Sequence, residues 1–170
     1  MRLENYQVAP IGVIAIHAGY ERGTGELAIS LAKAMGGVPI YVDANPKHIT
    51  SSRFSNLQIE SFLGCVWALV SIHGCADRHL KESDEFVVVG GRNLSLKQSV
   101  LQALLQNDIL ATDLIENPRL LGMHPHNVCN RCLSGAGVQL ELSLSLRNRI
   151  LRSWQFRMHL AQILASAVKC

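Results

Sequence analysis

Three short apolar runs constrain the fold of this chain more than any other feature of its sequence. They occupy residues 13–16, 65–72 and 86–89 and contain few polar side chains. Nearly continuous apolar runs of this length are typical of strands that are buried on both faces of a sheet. Helical periodicity over residues 24–35 and 94–105 follows two of these runs, and such connections are too long for hairpins. We therefore predict an α/β fold with a mixed, mostly parallel sheet and helices on both faces.

The remaining elements are predicted from shorter patterns. Thr24 is the expected N-cap of the first helix, and Gly36-Gly37 should end it. The loop at residues 117–137 is rich in Gly, Pro, His and Asn and should be irregular. Further strands are expected at residues 39–42, 113–116 and 138–142. Helical turns are expected at residues 57–62, and one long amphipathic helix at 147–168. Residues 48–54 should form an extended or turn segment.

Length and charge limit the classes of function that fit this chain. Its 170 residues suit a single domain over residues 1–170. The net charge is +3 and no block of Lys or Arg occurs, so neither nucleic acid nor a membrane surface is an expected partner. The sequence has five cysteines, an odd number, and shows no secretory signal. No apolar run is long enough to span a membrane. These features predict a cytoplasmic protein without a disulfide framework.

Two of the predicted strands end in a histidine. His17 follows the first apolar run and His73 follows the second, so parallel neighbouring strands would bring both imidazoles to one edge of the sheet. Glu21 lies four residues beyond His17, within reach of the same point after a turn. Two His and one Glu form a ligand set for catalytic zinc. The competing hypothesis is that each His only ends a strand and hydrogen-bonds a backbone carbonyl, and the pattern alone leaves both open.

A metal-assisted hydrolysis also needs a group that takes a proton from water, and Glu141 is the candidate. Alternation over residues 138–142 places Gln139 and Glu141 on the side opposite the apolar residues, facing either solvent or a site. Glu26 is a competing candidate for the base. Its position in the first turn of a helix already has a structural explanation in the helix dipole.

The loop at residues 127–132 offers two kinds of chemistry. Asn130 and Arg131 are suited to holding a carboxylate by charge-assisted hydrogen bonds. The spacing of Cys129 and Cys132 also fits a redox pair or half of a zinc ribbon. A ribbon needs a second pair at that spacing, which the sequence lacks, and a redox pair normally opens a helix rather than lying in a loop rich in Gly and Asn.

Seven short motifs occur in a fixed order along nearly the whole chain. They are Ile16-His17, Gly23-Thr24-x-Glu26, His48-Ile-Thr-Ser-Ser-Arg-Phe54, Ser71-Ile-His-Gly74, Val89-Gly-Gly91, Asn127-Val-Cys-Asn-Arg131 and Gly137-Val-Gln-Leu-Glu141. Together they resemble the phage-type poly-γ-glutamate hydrolase family. Members of that family are similar to zinc carboxypeptidases in fold, hold one zinc ion, and cut the γ-linked amide bonds of poly-γ-glutamate.

The resemblance implies roles for individual residues. It implies one Zn²⁺ ion on His17, Glu21 and His73, with Glu141 as general base. It places Arg131 and Asn130 near the carboxylates of the substrate, with Arg131 positioning the reacting chain. The segment that matches around His48 and Arg53 implies that both bind substrate.

The partner implied by the resemblance is a polyanionic γ-linked glutamate polymer. Two alternatives stay open on the sequence. The same site could act on another γ-glutamyl or N-acyl amino acid substrate. The loop before Glu21 is one residue shorter than the family pattern, so an inactive, carboxylate-binding relative is the other alternative.

Overall fold

The structure, a computed structural model, describes residues 9–81 and 83–168. The strands of the described residues are β1 (Ala9–Ala15), β2 (Ile40–Val42), β3 (Val66–Gly74), β4 (Val87–Gly91), β5 (Ala111–Thr112) and β6 (Val138–Leu142). They form one sheet in the order β2-β1-β3-β6-β4-β5. Neighbouring strands run parallel except β4, which is antiparallel to β6. The prediction of a mixed, mostly parallel sheet is confirmed.

Helices cover the two faces of this sheet unequally. The helices of the described residues are α1 (Thr24–Ala34), α2 (Leu57–Leu63), α3 (Leu94–Gln106), α4 (Leu144–Arg152) and α5 (Trp154–Val168). One face packs against α1, α3, α4 and α5 in a large apolar cluster. The other face packs against α2 and against loop residues such as Phe54 and Val128. Helices on both faces are thus confirmed, but loops complete the cover on one of them.

The face covered by loops is the one that carries the polar residues of the sheet. Leu69 packs into the cluster on this face, and alternation along β3 places Ser71 and His73 on the same side. On β6, the apolar residues of the strand belong to the opposite cluster, so Gln139 and Glu141 point toward the loops. A polar site can therefore lie on the sheet without interrupting the large apolar core.

The start of α1 differs in detail from the prediction. Gly23, not Thr24, is the N-cap, and its φ of 97° lies in the left-handed region that favours glycine. The Thr24 hydroxyl donates instead to the carbonyl of Glu21 at 2.8 Å. The Glu26 carboxylate accepts from the backbone N–H of Gly23 at 3.0 Å, which supports the structural explanation of this acid. Gly36 follows the helix with a φ of 90°, as the predicted stop requires.

Two predicted elements are wrong. The strand expected at residues 113–116 is not formed, because β5 ends at Thr112, whose hydroxyl accepts from the N–H of Leu114 in a local turn. The single helix expected over residues 147–168 is two helices, α4 and α5. They are separated by Ser153, which has an extended conformation and caps the second helix by accepting from the N–H of Phe156.

None of the helices in the described residues is both long and apolar enough to cross a membrane.

Candidate active site

Three buried side chains converge where β1 and β3 end. The Nδ1 atoms of His17 and His73 are 3.1 Å apart. One carboxylate oxygen of Glu21 lies 3.2 Å from Nδ1 of His17, and the other lies 3.7 Å from Nδ1 of His73. Because β1 and β3 are adjacent and parallel, both imidazoles leave the same edge of the sheet. The predicted convergence of these three residues is present.

A tight turn brings Glu21 back to the histidine that precedes it. The N–H groups of Tyr20 and Glu21 both donate to the carbonyl of His17, at 2.9 and 2.6 Å. The N–H of Gly74, the residue after His73, donates to the Glu21 carboxylate at 2.8 Å. The chain before Glu21 and the end of β3 therefore both hold the carboxylate in place.

The donor set fits a zinc ion. A tetrahedral zinc ion with ligand bonds of about 2.0–2.2 Å holds its ligand atoms roughly 3.3–3.6 Å apart, close to the separations of these three groups. Nε2 of His17 donates to the carbonyl of Ile49 at 2.7 Å, so Nδ1 is the ring nitrogen that faces His73 and Glu21 and could bind a metal ion. The hydrogen bond of a histidine to a backbone carbonyl, which the competing hypothesis expects, is thus present for His17, and it is compatible with both hypotheses.

The carboxylate of Glu21 makes this group of side chains attractive to a cation. Burial would lower the pKa of His17, but the hydrogen bond and the charge of Glu21 raise it, so a metal ion would compete with a proton for this ligand. Burial alone would raise the pKa of Glu21, but hydrogen bonds with His17 and His73 outweigh it and hold that pKa at about 2. Burial lowers the pKa of His73, so its imidazole is neutral and can offer a lone pair. In the described part of the chain, Nε2 of His73 and the hydroxyl of Ser71 are buried polar atoms without a hydrogen-bond partner.

Glu141 lies beside these three side chains. It is paired with His73 in the register of the adjacent parallel strands β3 and β6. Its side chain is buried, with 6% of the residue exposed, so the alternative that it faces solvent is wrong. Burial, and secondly the charge of Glu21, raise the pKa of Glu141 well above its usual range. A carboxyl group with a raised pKa can both accept and return a proton near neutral pH.

A cavity of about 520 Å³ opens over these groups. Its size is within the usual range for ligand pockets. His17, Glu21, His73, Gln139 and Glu141 are its buried lining residues at the sheet. Exposed side chains of two loops form its outer part, among them His48, Arg119 and His124.

Residues 2–163 match the sequence profile of the poly-gamma-glutamate hydrolase family. The chain belongs to this family. The SPbeta prophage-derived protein YoqZ of Bacillus subtilis strain 168 is 30% identical over 148 residues, which are 84% of this chain and 52% of YoqZ. The chain spans about half the length of the curated relatives it matches.

Similarity to solved structures agrees with membership of this family. A bacteriophage poly-gamma-glutamate hydrolase has a TM-score of 0.81 and 27% identity, covering 95% of this chain and 84% of that one. The zinc-free form of YndL has a TM-score of 0.81 and 25% identity, covering 95% and 85%. The catalytic domain of CwlV, an N-acetylmuramoyl-L-alanine amidase from Bacillus (Paenibacillus) polymyxa, has a TM-score of 0.56 at 13% identity, covers 94% and 96%, and shows the shared fold alone. The resemblance and the fold class predicted from the sequence are confirmed.

In this member of the poly-γ-glutamate hydrolase family, His48 and Arg53, the two residues predicted to bind substrate from the segment 48–54, lie at the cavity or beside it. His48 lines the cavity, and its ring centroid is 4.5 Å from that of His17. Arg53 is exposed in an adjoining hollow, which His126 and Arg131 also line. Ser52 lines both the cavity and the hollow and so connects them.

Asn130 and Arg131 lie outside the cavity. The guanidinium of Arg131 donates to the carbonyl of Phe54 at 2.7 Å and pairs with the Glu60 carboxylate. Asn130 is buried, and its amide nitrogen donates to the carbonyls of Gly122 and His124 at 2.7 and 3.0 Å. Both of those residues line the cavity, so Asn130 holds the cavity wall rather than facing its interior.

The cysteine pair in the same loop has no feature of a redox site. Cys129 and Cys132 are free and buried. Burial raises the pKa of the Cys129 thiol, the opposite of what a reactive thiolate needs. This environment argues against the redox hypothesis.

Gln139 and Asn127, which orient Glu141 directly and through one another, were not among the predicted site residues. The amide nitrogen of Gln139 donates to Oε1 of Glu141 at 2.9 Å and to the carbonyl of Leu120 at 3.1 Å. The amide nitrogen of Asn127 donates to the oxygen of Gln139 at 3.0 Å, so a chain of amides orients the acid. The alternation over residues 138–142 places Gln139 on the same side of β6 as Glu141, so it could have indicated the role of Gln139.

Replacing Gln139 with Met should lower kcat at neutral pH about tenfold, in the range typical of residues that orient a site. The Gln139 amide stabilises the ionised form of Glu141, so its loss raises the pKa of Glu141 further. The acid limb of the kcat/KM profile should therefore move to higher pH, as steady-state assays across pH would measure. Gln106→Met, at an exposed position of α3, is the matched control. An acid limb at the wild-type pH would show that Gln139 does not act on Glu141.

Proposed function

We propose that this protein is a zinc-dependent hydrolase that cleaves γ-glutamyl amide bonds of poly-γ-glutamate. The observation that carries the proposal is the buried convergence of His17, Glu21 and His73 beside Glu141, in a chain of the poly-γ-glutamate hydrolase family. The similarity to a bacteriophage poly-gamma-glutamate hydrolase supports the substrate class. The zinc-free form of the similar protein YndL supports zinc as the metal.

His17, Glu21 and His73 would hold one zinc ion, each through one ligand atom. Bound there, zinc would polarise the scissile carbonyl and make water a better nucleophile. Glu141 accepts the proton of the attacking water and passes it to the nitrogen of the leaving amine. Gln139 occupies Oε1 of Glu141, so we assign the proton to Oε2. Gln139 thus keeps the carboxyl group aimed at one position while the proton moves.

Cationic and imidazole side chains around the cavity would bind the carboxylates of the substrate. A γ-linked glutamate chain carries one free α-carboxylate per unit, and a charge-assisted hydrogen bond fits each of these groups. His48 and Arg119 line the cavity, and Arg53 lies in the adjoining hollow. We assign the direct contacts to His48 and Arg53. Arg131 would position the chain by exchanging Glu60 for a substrate carboxylate, and Asn130 would act by holding the wall.

Zinc reconstitution tests the function. Protein freed of metal by a chelator should leave poly-γ-glutamate intact, and one equivalent of zinc should restore cleavage, measured as the fall in polymer size by size-exclusion chromatography. Poly-α-glutamate is the matched control substrate, because it has the same charge but a different amide linkage. Small γ-glutamyl peptides and N-acyl amino acids, assayed in parallel, define the substrate class.

Three results would contradict the proposal. Cleavage of poly-γ-glutamate by the metal-free protein would exclude a role for zinc in the hydrolysis. Equal cleavage of the α-linked and γ-linked polymers would remove the linkage specificity. Stoichiometric zinc binding without cleavage of any of these substrates would instead support an inactive, carboxylate-binding relative.

A further inference from the structure

Arg147 of α4 is a buried cation that forms no ion pair among the described residues, although its charge opposes the rise in the pKa of Glu141. It is 9% exposed. Its guanidinium donates to three backbone carbonyls: Nε to Leu142 at 3.3 Å, Nη1 to Arg22 at 3.1 Å and Nη2 to Cys75 at 3.4 Å. Burying a charge is unfavourable unless its hydrogen-bonding groups are satisfied. An apolar side chain could fill the same space without this cost, so the hydrogen bonds to the three carbonyls are a contribution specific to arginine.

The three carbonyls are not scattered through the chain. They belong to the turn before α1, to the end of β3 and to the end of β6, which are far apart in sequence. Each carbonyl lies one or two residues after a residue of the proposed site: Arg22 after Glu21, Cys75 after His73, and Leu142 after Glu141. One planar group thus connects the three backbone segments that carry two metal ligands and the base.

Two glycines give the Arg147 side chain its path. A Cβ at Gly74 would lie 2.5 Å from Nε and 2.7 Å from Cζ of Arg147, so a side chain at this position would displace the guanidinium. A Cβ at Gly23 would lie 3.0 Å from Cβ of Arg147, and Gly23 also has a positive φ. The N–H of Gly74 donates to the Glu21 carboxylate, so the backbone that packs on Arg147 also holds a ligand.

We propose that Arg147 is the positioning residue of the metal centre: its guanidinium holds the segments of Glu21, His73 and Glu141 at the separations that let them act on one ion. Arginine suits this task because its five N–H groups form a rigid planar fork. A lysine at this position would keep the charge but could not hold three carbonyls in fixed directions. The effect of Arg147 on catalysis rests on the proposed function, whereas its positioning of the three backbone segments can be measured without catalysis.

The first test compares zinc affinity in Arg147→Lys and in a matched control. Zinc Kd, measured by competition with a chromophoric chelator, should rise about 10–100-fold in Arg147→Lys, the range for partners that orient metal ligands. Arg149→Lys is the control, because Arg149 lies two residues later on α4, is exposed, and pairs with Glu85. Its Kd should stay within about twofold of the wild type, since surface ion pairs contribute little.

The second test uses metal-free protein and so does not depend on zinc. Hydrogen exchange of the Gly74 amide, followed by NMR, should be at least roughly tenfold faster in Arg147→Lys than in the wild type or Arg149→Lys, because local stability is lost at that segment. A general loss of stability would instead accelerate exchange throughout the sheet. If wild-type protein bound no zinc, the proposed function would fail, and this exchange measurement would still decide the role of Arg147.

Chemical rescue separates positioning from a purely structural role. Zinc affinity lost in Arg147→Ala should be partly restored by guanidinium at non-denaturing concentration, and methylammonium should restore none. Gly74→Ala provides a second variant should Arg147→Ala fail to fold, because its Cβ displaces the guanidinium without removing any group of the site. Gly74→Ala should also raise zinc Kd. A wild-type Kd and wild-type Gly74 exchange in Arg147→Lys would overturn the proposal.

Discussion

Replacing Glu141 with Gln is expected to lower kcat for poly-γ-glutamate hydrolysis by at least about a hundredfold, the usual lower range for loss of a general base. Glutamine keeps the shape of the side chain but cannot accept the proton of the attacking water. Zinc content should remain at the wild-type level, because Glu141 is not one of the three groups that converge. Steady-state kinetics with elemental analysis of the same samples would measure both quantities.

Glu26→Gln is the matched control for this substitution. Glu26 competes for the role of base on the sequence, but its carboxylate accepts from the N–H of Gly23 at the start of α1. Its substitution should therefore leave kcat nearly unchanged. A near-wild-type rate in Glu141→Gln would move the role of base to another group. Loss of zinc in Glu141→Gln would instead make Glu141 a metal ligand.

Replacing His73 with Ala is expected to weaken zinc binding more than a hundredfold, beyond the range for residues that only orient ligands. The Nδ1 of His73 lies 3.1 Å from that of His17, so the substitution removes one of the atoms that converge. Activity should fall to the level of the metal-free protein. Zinc titration by calorimetry, followed by activity at saturating zinc, would separate loss of affinity from loss of chemistry.

Two other histidines serve as controls for His73. His159 is exposed on α5, and its replacement by Ala should change neither zinc affinity nor activity. His48 lines the cavity and contacts His17 with its ring tilted by 37°, so His48→Ala should keep zinc but raise KM for the polymer. Stoichiometric zinc of wild-type affinity in His73→Ala would exclude His73 as a ligand. Loss of zinc in His48→Ala would add His48 to the ligand set.

The centre of the site could be predicted from the sequence because it depends on local patterns. His17 and His73 each follow an apolar run, and an apolar run in an α/β chain predicts a buried strand. Parallel strands end at one edge of their sheet, so strand-end residues on neighbouring strands meet. Glu21 needed only a short turn after His17, which the hydrogen bonds to the His17 carbonyl form.

The environment of the remaining residues could not be predicted in this way. Alternation placed the Glu141 side chain opposite the apolar side of β6. Whether that side chain faces solvent or the site depends on the strand order, in which β6 lies next to β3. Asn130 and Arg131 have suitable chemistry, yet their directions are set by distant partners such as Gly122 and Glu60. The break between α4 and α5 at Ser153 shows the same limit, since apolar periodicity does not record where a helix is interrupted.

Hydrophobic periodicity and strand-end position are properties of short segments, so most of the strands, the mixed sheet and the meeting of His17, Glu21 and His73 could be predicted from the sequence. The burial of Glu141 beside His73, the hydrogen bond of Asn127 to Gln139 and the contacts of Arg147 with three separate segments could not. These contacts join residues that are far apart in the chain. Their partners are defined only when strand order and register are in place.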